Sequence, residues 1–182
     1  MMNRILTIIL LFLSAGSTVA QHIYTSRNAT ISFYSYAPIE DIKAKSETGV
    51  AAIDINSRSV YFKVPIRSFK FRKSMMEEHF NEKYLESDKY PKAEFKGKIV
   101  EDIDLSKEGS YPVTVQGDLD IHNVTKKYTT RATLEVAGGK ISASSTFNVR
   151  LVDHRITIPT LVTRNIAETL EIKVKAVLTK KD

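Results

Sequence analysis

The sequence predicts a mainly β fold, a closed antiparallel barrel of about eight strands with one helix capping an end. Three observations carry this. Residues 111–121 place Tyr111, Val113, Val115, Leu119 and Ile121 on one parity and Pro112, Thr114, Gln116, Asp118 and Asp120 on the other, which makes a strand with one dry face. The same two-residue period recurs at short spacing along most of the chain. A third sign is the Gly138-Gly139 turn, which sets a hairpin whose facing residues agree in polarity.

Residues 1–20 stand apart from this pattern. Arg4 is followed by an apolar run from Ile5 to Leu13 and then by small residues ending Thr18-Val19-Ala20, the order of a secretory leader, with cleavage expected after Ala20. The apolar run falls short of the roughly 20 residues needed to cross a bilayer. Residues 21–182 are then expected to form one exported domain, periplasmic or secreted, large enough to bury a core without crosslinks. Disulfides are ruled out, because the chain contains no cysteine.

Strands are expected over residues 30–36, 39–46, 49–56 and 59–67, the last alternating Val60, Phe62, Val64 and Ile66 with Tyr61, Lys63, Pro65 and Arg67. A helix follows at residues 75–85. Ser74 with Glu77 three positions on has the pattern of a capping box. Met76, Phe80 and Tyr84 recur at i, i+4 and i+8, which gives one narrow apolar face, and Tyr90-Pro91 ends the helical stretch.

Further strands are expected at 93–100, 110–121, 127–136, 140–151 and 166–178, the last with Ile166, Leu170, Ile172, Val174, Ala176 and Leu178 facing one way. At Gly138-Gly139 a two-residue loop pairs Val136 with Ile141, Leu134 with Ala143, Ala132 with Ser145 and Thr130 with Phe147, all on the apolar parity. The middle of that inward face is small, at Ala132, Ala143 and Ser145. In a barrel of this strand number, small inward residues leave room for one ligand.

Charge and motif content narrow the function. The chain carries 27 Lys and Arg against 21 Asp and Glu, a net +6, and loss of Arg4 with the leader makes it +5. Basic side chains are spread over outward parities, which suits solubility and transient contact with an anionic membrane surface. Without a basic stripe interleaved with stacking aromatics, nucleic acid is not an expected partner. His22, His79, His122 and His154 show no metal-ligand spacing, and no phosphate loop or Gly-x-Ser-x-Gly elbow is present. No metal, cofactor or catalytic residue is therefore expected. An acid, a base and a cation adjoin at Asp153-His154-Arg155, but neighbours on an extended segment point to opposite sides, which favours a polar rim loop over an acid/base pair.

Several segments resemble the YceI-like family. His79-Phe80 and the stretch from Tyr84 through Tyr90-Pro91 to Phe95 are similar to the family's helix-to-strand passage. Gly117-Asp118-Leu119-Asp120-Ile121-His122-Asn123-Val124-Thr125-Lys126 is similar to its "G-x-L-x-i-h-G-v-T-k" segment. Phe147 to Ile156 stands where the family has a strand running into a turn, and Ile166-Ala167 leads into the closing strand. Asn123 replaces a common glycine, and asparagine tolerates the left-handed backbone well. The resemblance implies an exported, lipocalin-like barrel that binds polyisoprenoid-type lipids.

On that basis the inward rows are expected to line a ligand pocket: Phe62, Val64, Ile66, Met76, Phe80, Phe95, Val115, Leu119, Ala132, Leu134, Phe147, Leu170 and Ile172. The expected partner is an apolar lipid. Two other readings stand beside it. One is an enzyme acting on a small apolar substrate with Asp153 and His154 at the mouth; the other is a structural or interaction module whose core is filled.

Overall fold

The computed structural model describes residues 22–36, 41–157 and 168–181. Residues 1–20, expected to be a leader, lie outside them, as do residue 39 and Ile166 from the expected strands. The strands are β1 (Ile23–Ser35), β2 (Ile42–Asp54), β3 (Ser59–Pro65), β4 (Lys70–Phe71), β5 (Lys92–Ile99), β6 (Gly109–Ile121), β7 (Val124–Ala137), β8 (Lys140–Arg150) and β9 (Thr169–Lys180). Hydrogen-bonded neighbours run β1-β9-β8-β7-β6-β5-β3-β2, and β2 pairs back onto β1, so eight strands close into an antiparallel barrel of the expected class. The two-residue β4 adds to the free half of β2.

Turn chemistry sets two of the hairpins. Gly138 and Gly139 have φ of +55° and +71°, and His122 and Asn123 have +55° and +58°. Left-handed backbone at both central positions matches the right-handed twist of the flanking strands. His122 is held there by Glu86, whose Oε2 lies 3.1 Å from its Nε2, and by the Tyr90 ring at 4.3 Å.

Several expected boundaries are corrected. The two strands expected over 39–46 and 49–56 are one, β2 (Ile42–Asp54), and β1 begins at Ile23 rather than at residue 30. Paired bulges are the reason: Ser26 faces Ala51, Ala29 faces Gly49, and Ile31 faces Ser46, so an extra residue sits first on β1 and then on β2. Each bulge flips the parity, and a strict two-residue period loses the strand there. The strand expected to reach residue 67 stops at Pro65 and turns through Ile66–Ser68. Thr130 and Phe147 are not paired, because the β7–β8 ladder runs only from Ala137/Lys140 to Ala132/Ser145.

The helix is shorter than expected. After α1 (Ser74–His79) the chain widens over Phe80–Tyr84, where the Leu85 N–H bonds to Phe80 O, five residues back, at 2.9 Å. The capping box does not form. Lys73 is the N-cap without a side-chain bond, while Glu77 turns to Lys70 Nζ at 2.6 Å and to the Phe71 N–H at 3.3 Å. The preceding β4 thus offers that carboxylate a cation and a backbone donor. No helix of the described residues is long and apolar enough to cross a membrane.

The buried side chains form two clusters. At the helix end lie Ile31, Phe33, Ile66, Phe69, Phe80, Leu85, Val149 and Leu151; at the end bearing the Gly138-Gly139 turn lie Ile53, Ile99, Leu105, Val113, Leu134, Val136, Ile141 and Leu178. Only partly buried, Phe62 and Phe95 touch both clusters.

Between the clusters the wall is thin on β5 and β6, where Gly97 faces Gly117. A Cβ on Gly97 would lie 2.5 Å from Gln116 O and 2.7 Å from the Phe95 ring, so the ring is laid back over a bare backbone. Gly97→Ala is expected to cost about 1–3 kcal/mol, as other overpacked sites do. An unchanged urea midpoint would show that both the β6 backbone at Gln116 and the ring give way freely.

On the outer face Tyr61 donates to Glu94 Oε1 at 2.6 Å, and Lys92 and Lys96 approach Oε2 at 3.3 Å. The Tyr61 hydrogen bond first, helped by the lysines and opposed by burial, holds the Glu94 carboxyl down to about 2. Because its folded pKa lies below the ordinary 4.5, the stabilisation is present above that pH and is lost as pH falls towards 2. Glu94→Gln is therefore expected to flatten the decline in melting temperature across that acid window. An unaltered decline would mean that the pair contributes nothing.

Candidate functional site: the barrel interior

Between the two clusters lies an apolar cavity of about 190 Å³. Every barrel strand contributes to it, through Phe33 on β1, Ala51 on β2, Phe62 on β3, Phe95 on β5, Val115 on β6, Leu134 on β7, Ala143 on β8 and Ile172 on β9. Small side chains make the space. Ala51, Ala132, Ala143 and Ala176 line the cavity, and the Gly97/Gly117 pair lets β5 and β6 come close. A dry cavity of roughly 150 Å³ lined by Leu, Ile and Phe takes up benzene, so this one has room for an apolar guest.

The expected lining residues Phe62, Val64, Ile66, Phe80, Phe95, Val115, Leu119, Ala132, Leu134, Phe147, Leu170 and Ile172 all border this cavity. Met76 does not. The i, i+4 spacing puts it there only in one straight helix, whereas the chain widens over Phe80–Tyr84, Phe80 and Leu85 are buried, and Met76 is half-buried on the flank.

Sequence reasoning also passed over Ile31, Phe33, Phe69, Tyr128, Leu151 and Ile156, which border the cavity too. Phe33, Phe69 and Phe80 form an aromatic plug at the helix end with Phe71: Phe33 lies 5.5 Å from both Phe69 and Phe80, and Phe71 lies 5.0 Å from Phe80. Edge-on and offset contacts of this kind are favourable for aromatic rings. The alternation Phe69-Lys70-Phe71 was the available signal for part of the plug.

The Asp153-His154-Arg155 stretch, expected as a polar rim loop, has its middle residue turned into the protein. His154 is fully buried on the turn Leu151–His154 that follows β8. Its Nδ1–H donates to Val124 O at 2.9 Å, and its Nε2 meets the Tyr128 hydroxyl at 3.0 Å. Both ring nitrogens are occupied by structural partners. Asp153 is turned to Arg150, at 3.8 Å, so no acid/base pair faces the cavity. Tyr128, beside His154, has its hydroxyl pushed up by burial and by Asp153. Among the described residues no three His, Asp or Glu side chains converge as metal ligands do.

Solved structures share this architecture. A polyisoprenoid binding domain from Saccharophagus degradans, implicated in plant cell wall breakdown, is similar with a TM-score of 0.75 and 13% identity, over 88% of this chain and 99% of that one. Burkholderia cenocepacia BcnA is similar with a TM-score of 0.68 and 16% identity over 84% and 96%. The Campylobacter jejuni YCEI protein follows at 0.60 and 23% identity over 81% and 90%. At these identities the likeness is one of fold. No curated protein matches the chain in sequence. The profile of the YceI-like domain matches residues 14–178, and with almost the whole sequence inside that match the chain belongs to the YceI-like family.

Proposed function

We propose that the protein is an exported carrier that sequesters a long apolar lipid, isoprenoid-like, in the barrel interior. The observation behind this is the cavity itself, an apolar space lined from all eight barrel strands and set between two packed clusters. The polyisoprenoid binding domain among the similar folds supports the same ligand class. The leader-like residues 1–20 support export. Among the described residues the cavity lining is predominantly apolar, and Asp153 and His154 make no pair with each other, which favours binding over catalysis.

Apolar contact supplies enough free energy. Burying a methylene gains about 0.8 kcal/mol, so three five-carbon units give roughly 12 kcal/mol gross. Micromolar affinity needs only about 8, and the remainder is consumed by ordering the chain and by lost rigid-body freedom. The existing void holds part of such a tail. A longer one extends by parting the phenylalanine plug at the helix end.

Native mass spectrometry after gentle purification, followed by organic extraction, tests the reading. A protein that carries an apolar lipid into the extract supports it. A bare polypeptide that also fails to bind apolar probes would sink it in favour of a filled-core module.

A further inference from the structure

The barrel wall parts in two places. The free half of β2 leaves β3, and that gap is partly filled by β4, whose backbone pairs with β2 at Ala44/Phe71 and Lys45/Lys70, with a hydroxyl contact beside it from Ser46 Oγ to Ser68 Oγ at 2.7 Å. β7 and β8 part beyond Ala132/Ser145, although residues 124–131 of β7 stay paired with β6 and residues 146–150 of β8 stay paired with β9.

This second seam is closed by side chains. The Ser145 hydroxyl donates to Arg131 O at 2.7 Å and lies 3.2 Å from the Thr130 hydroxyl; below it the Tyr128 ring meets Phe147 edge-on at 6.2 Å. His154 clamps the far end through Val124 O and the Tyr128 hydroxyl. Parting this seam breaks a few hydroxyl and ring contacts, whereas parting any paired strands would break a ladder of backbone bonds.

The seam also separates two spaces. Ala132, Ser144, Ser145 and Val174 line the internal cavity and, equally, a groove on the outer surface. Charged groups in the groove are Glu101, Arg131, Lys173 and Lys175. Glu101 accepts the Thr114 N–H at 2.7 Å and Lys173 pairs with Glu171 at 2.9 Å. Arg131 and Lys175 form no ion pair among the described residues, which leaves the groove with two cations to offer.

We infer that the β7–β8 seam is a lateral passage into the cavity, and that the groove outside it holds the anionic head group of the lipid against Arg131 and Lys175 while the chain lies inside. The inference rests on the carrier reading and adds to it a route and a head-group class.

Because the chain has no cysteine, Thr130→Cys with Ser145→Cys introduces a lone, reducible staple across the seam. Uptake of fluorescently labelled farnesyl phosphate is followed by stopped flow in the oxidised and the reduced protein. Oxidation is expected to slow uptake on the order of tenfold, with recovery on reduction. Ser142→Cys with Val177→Cys, a registered pair on β8 and β9, is expected to leave the rate unchanged when oxidised. Equal rates in the oxidised and reduced seam variant overturn the passage while its binding upholds the carrier. Failure of wild type and both variants to bind at all overturns the carrier and the passage together.

A second variant needs no staple. Ser145→Ala removes the bridging hydroxyl and is expected to speed uptake; an unchanged rate counts against the passage. For the head group, Arg131→Gln with Lys175→Gln is expected to weaken farnesyl phosphate about fivefold and leave farnesol unaltered. Equal effects on the two compounds, or none on either, overturn the placement of the head group.

Discussion

Ala132→Phe is expected to lower lipid affinity about a hundredfold, equivalent to nearly 3 kcal/mol, while the barrel still folds. Ala132 lies between Val113 on β6 and Ser145 on β8 and faces the cavity from the middle of β7. A phenyl ring there occupies a space of benzene size, and the whole cavity is about 190 Å³. The ring fills existing space rather than an already close-packed core, so the fold tolerates it. Equilibrium binding of labelled farnesyl phosphate, with far-ultraviolet circular dichroism alongside, makes the measurement. Affinity rather than rate is the readout, because Ala132 also borders the β7–β8 seam. A folded variant with undiminished affinity would place the lipid outside the barrel's middle.

Ile141→Ala is expected to do the reverse. Ile141 is 0% exposed, faces Val136 and Leu178 in register, and belongs to the turn-end cluster without bordering the cavity. Deleting its side chain leaves a hole that close-packed neighbours fill poorly, at a cost of about 2–5 kcal/mol in urea unfolding. Lipid affinity, measured where the variant remains folded, is expected to stay within a few-fold of wild type. A stability loss under about 1 kcal/mol would mean that the turn end is as loosely packed as the middle. Together the two substitutions separate the part of the interior that holds the fold from the part that holds the ligand.

Local chemistry accounts for what could be read early. The alternation of Val113, Val115 and Leu119, and of Leu170, Ile172 and Val174, survives in β6 and β9 because both are regular ladders with one dry face. Gly138-Gly139 set the register of Val136, Leu134 and Ala132 because a two-residue turn permits only one. Where the ladder is irregular the period fails. The bulges near Ala29 and Gly49 hid the first half of β1, before residue 30. Glu77 left its capping role for Lys70 and Phe71, partners that only the placement of β4 reveals.

His154 shows the same limit from the functional side. Between Asp153 and Arg155 in sequence it reads as part of a polar rim loop, and in three dimensions it is a buried clamp on Val124 and Tyr128. Sequence alone determined the barrel class, most of the inward rows and their small middle, because side-chain parity and turn residues act over neighbouring positions. Tertiary structure alone decided that the middle stays open between two packed clusters, that phenylalanines from β1, β4 and the helix plug one end, and that β7 parts from β8. Those outcomes depend on how distant strands curve against one another, a balance of packing volumes that no local pattern encodes.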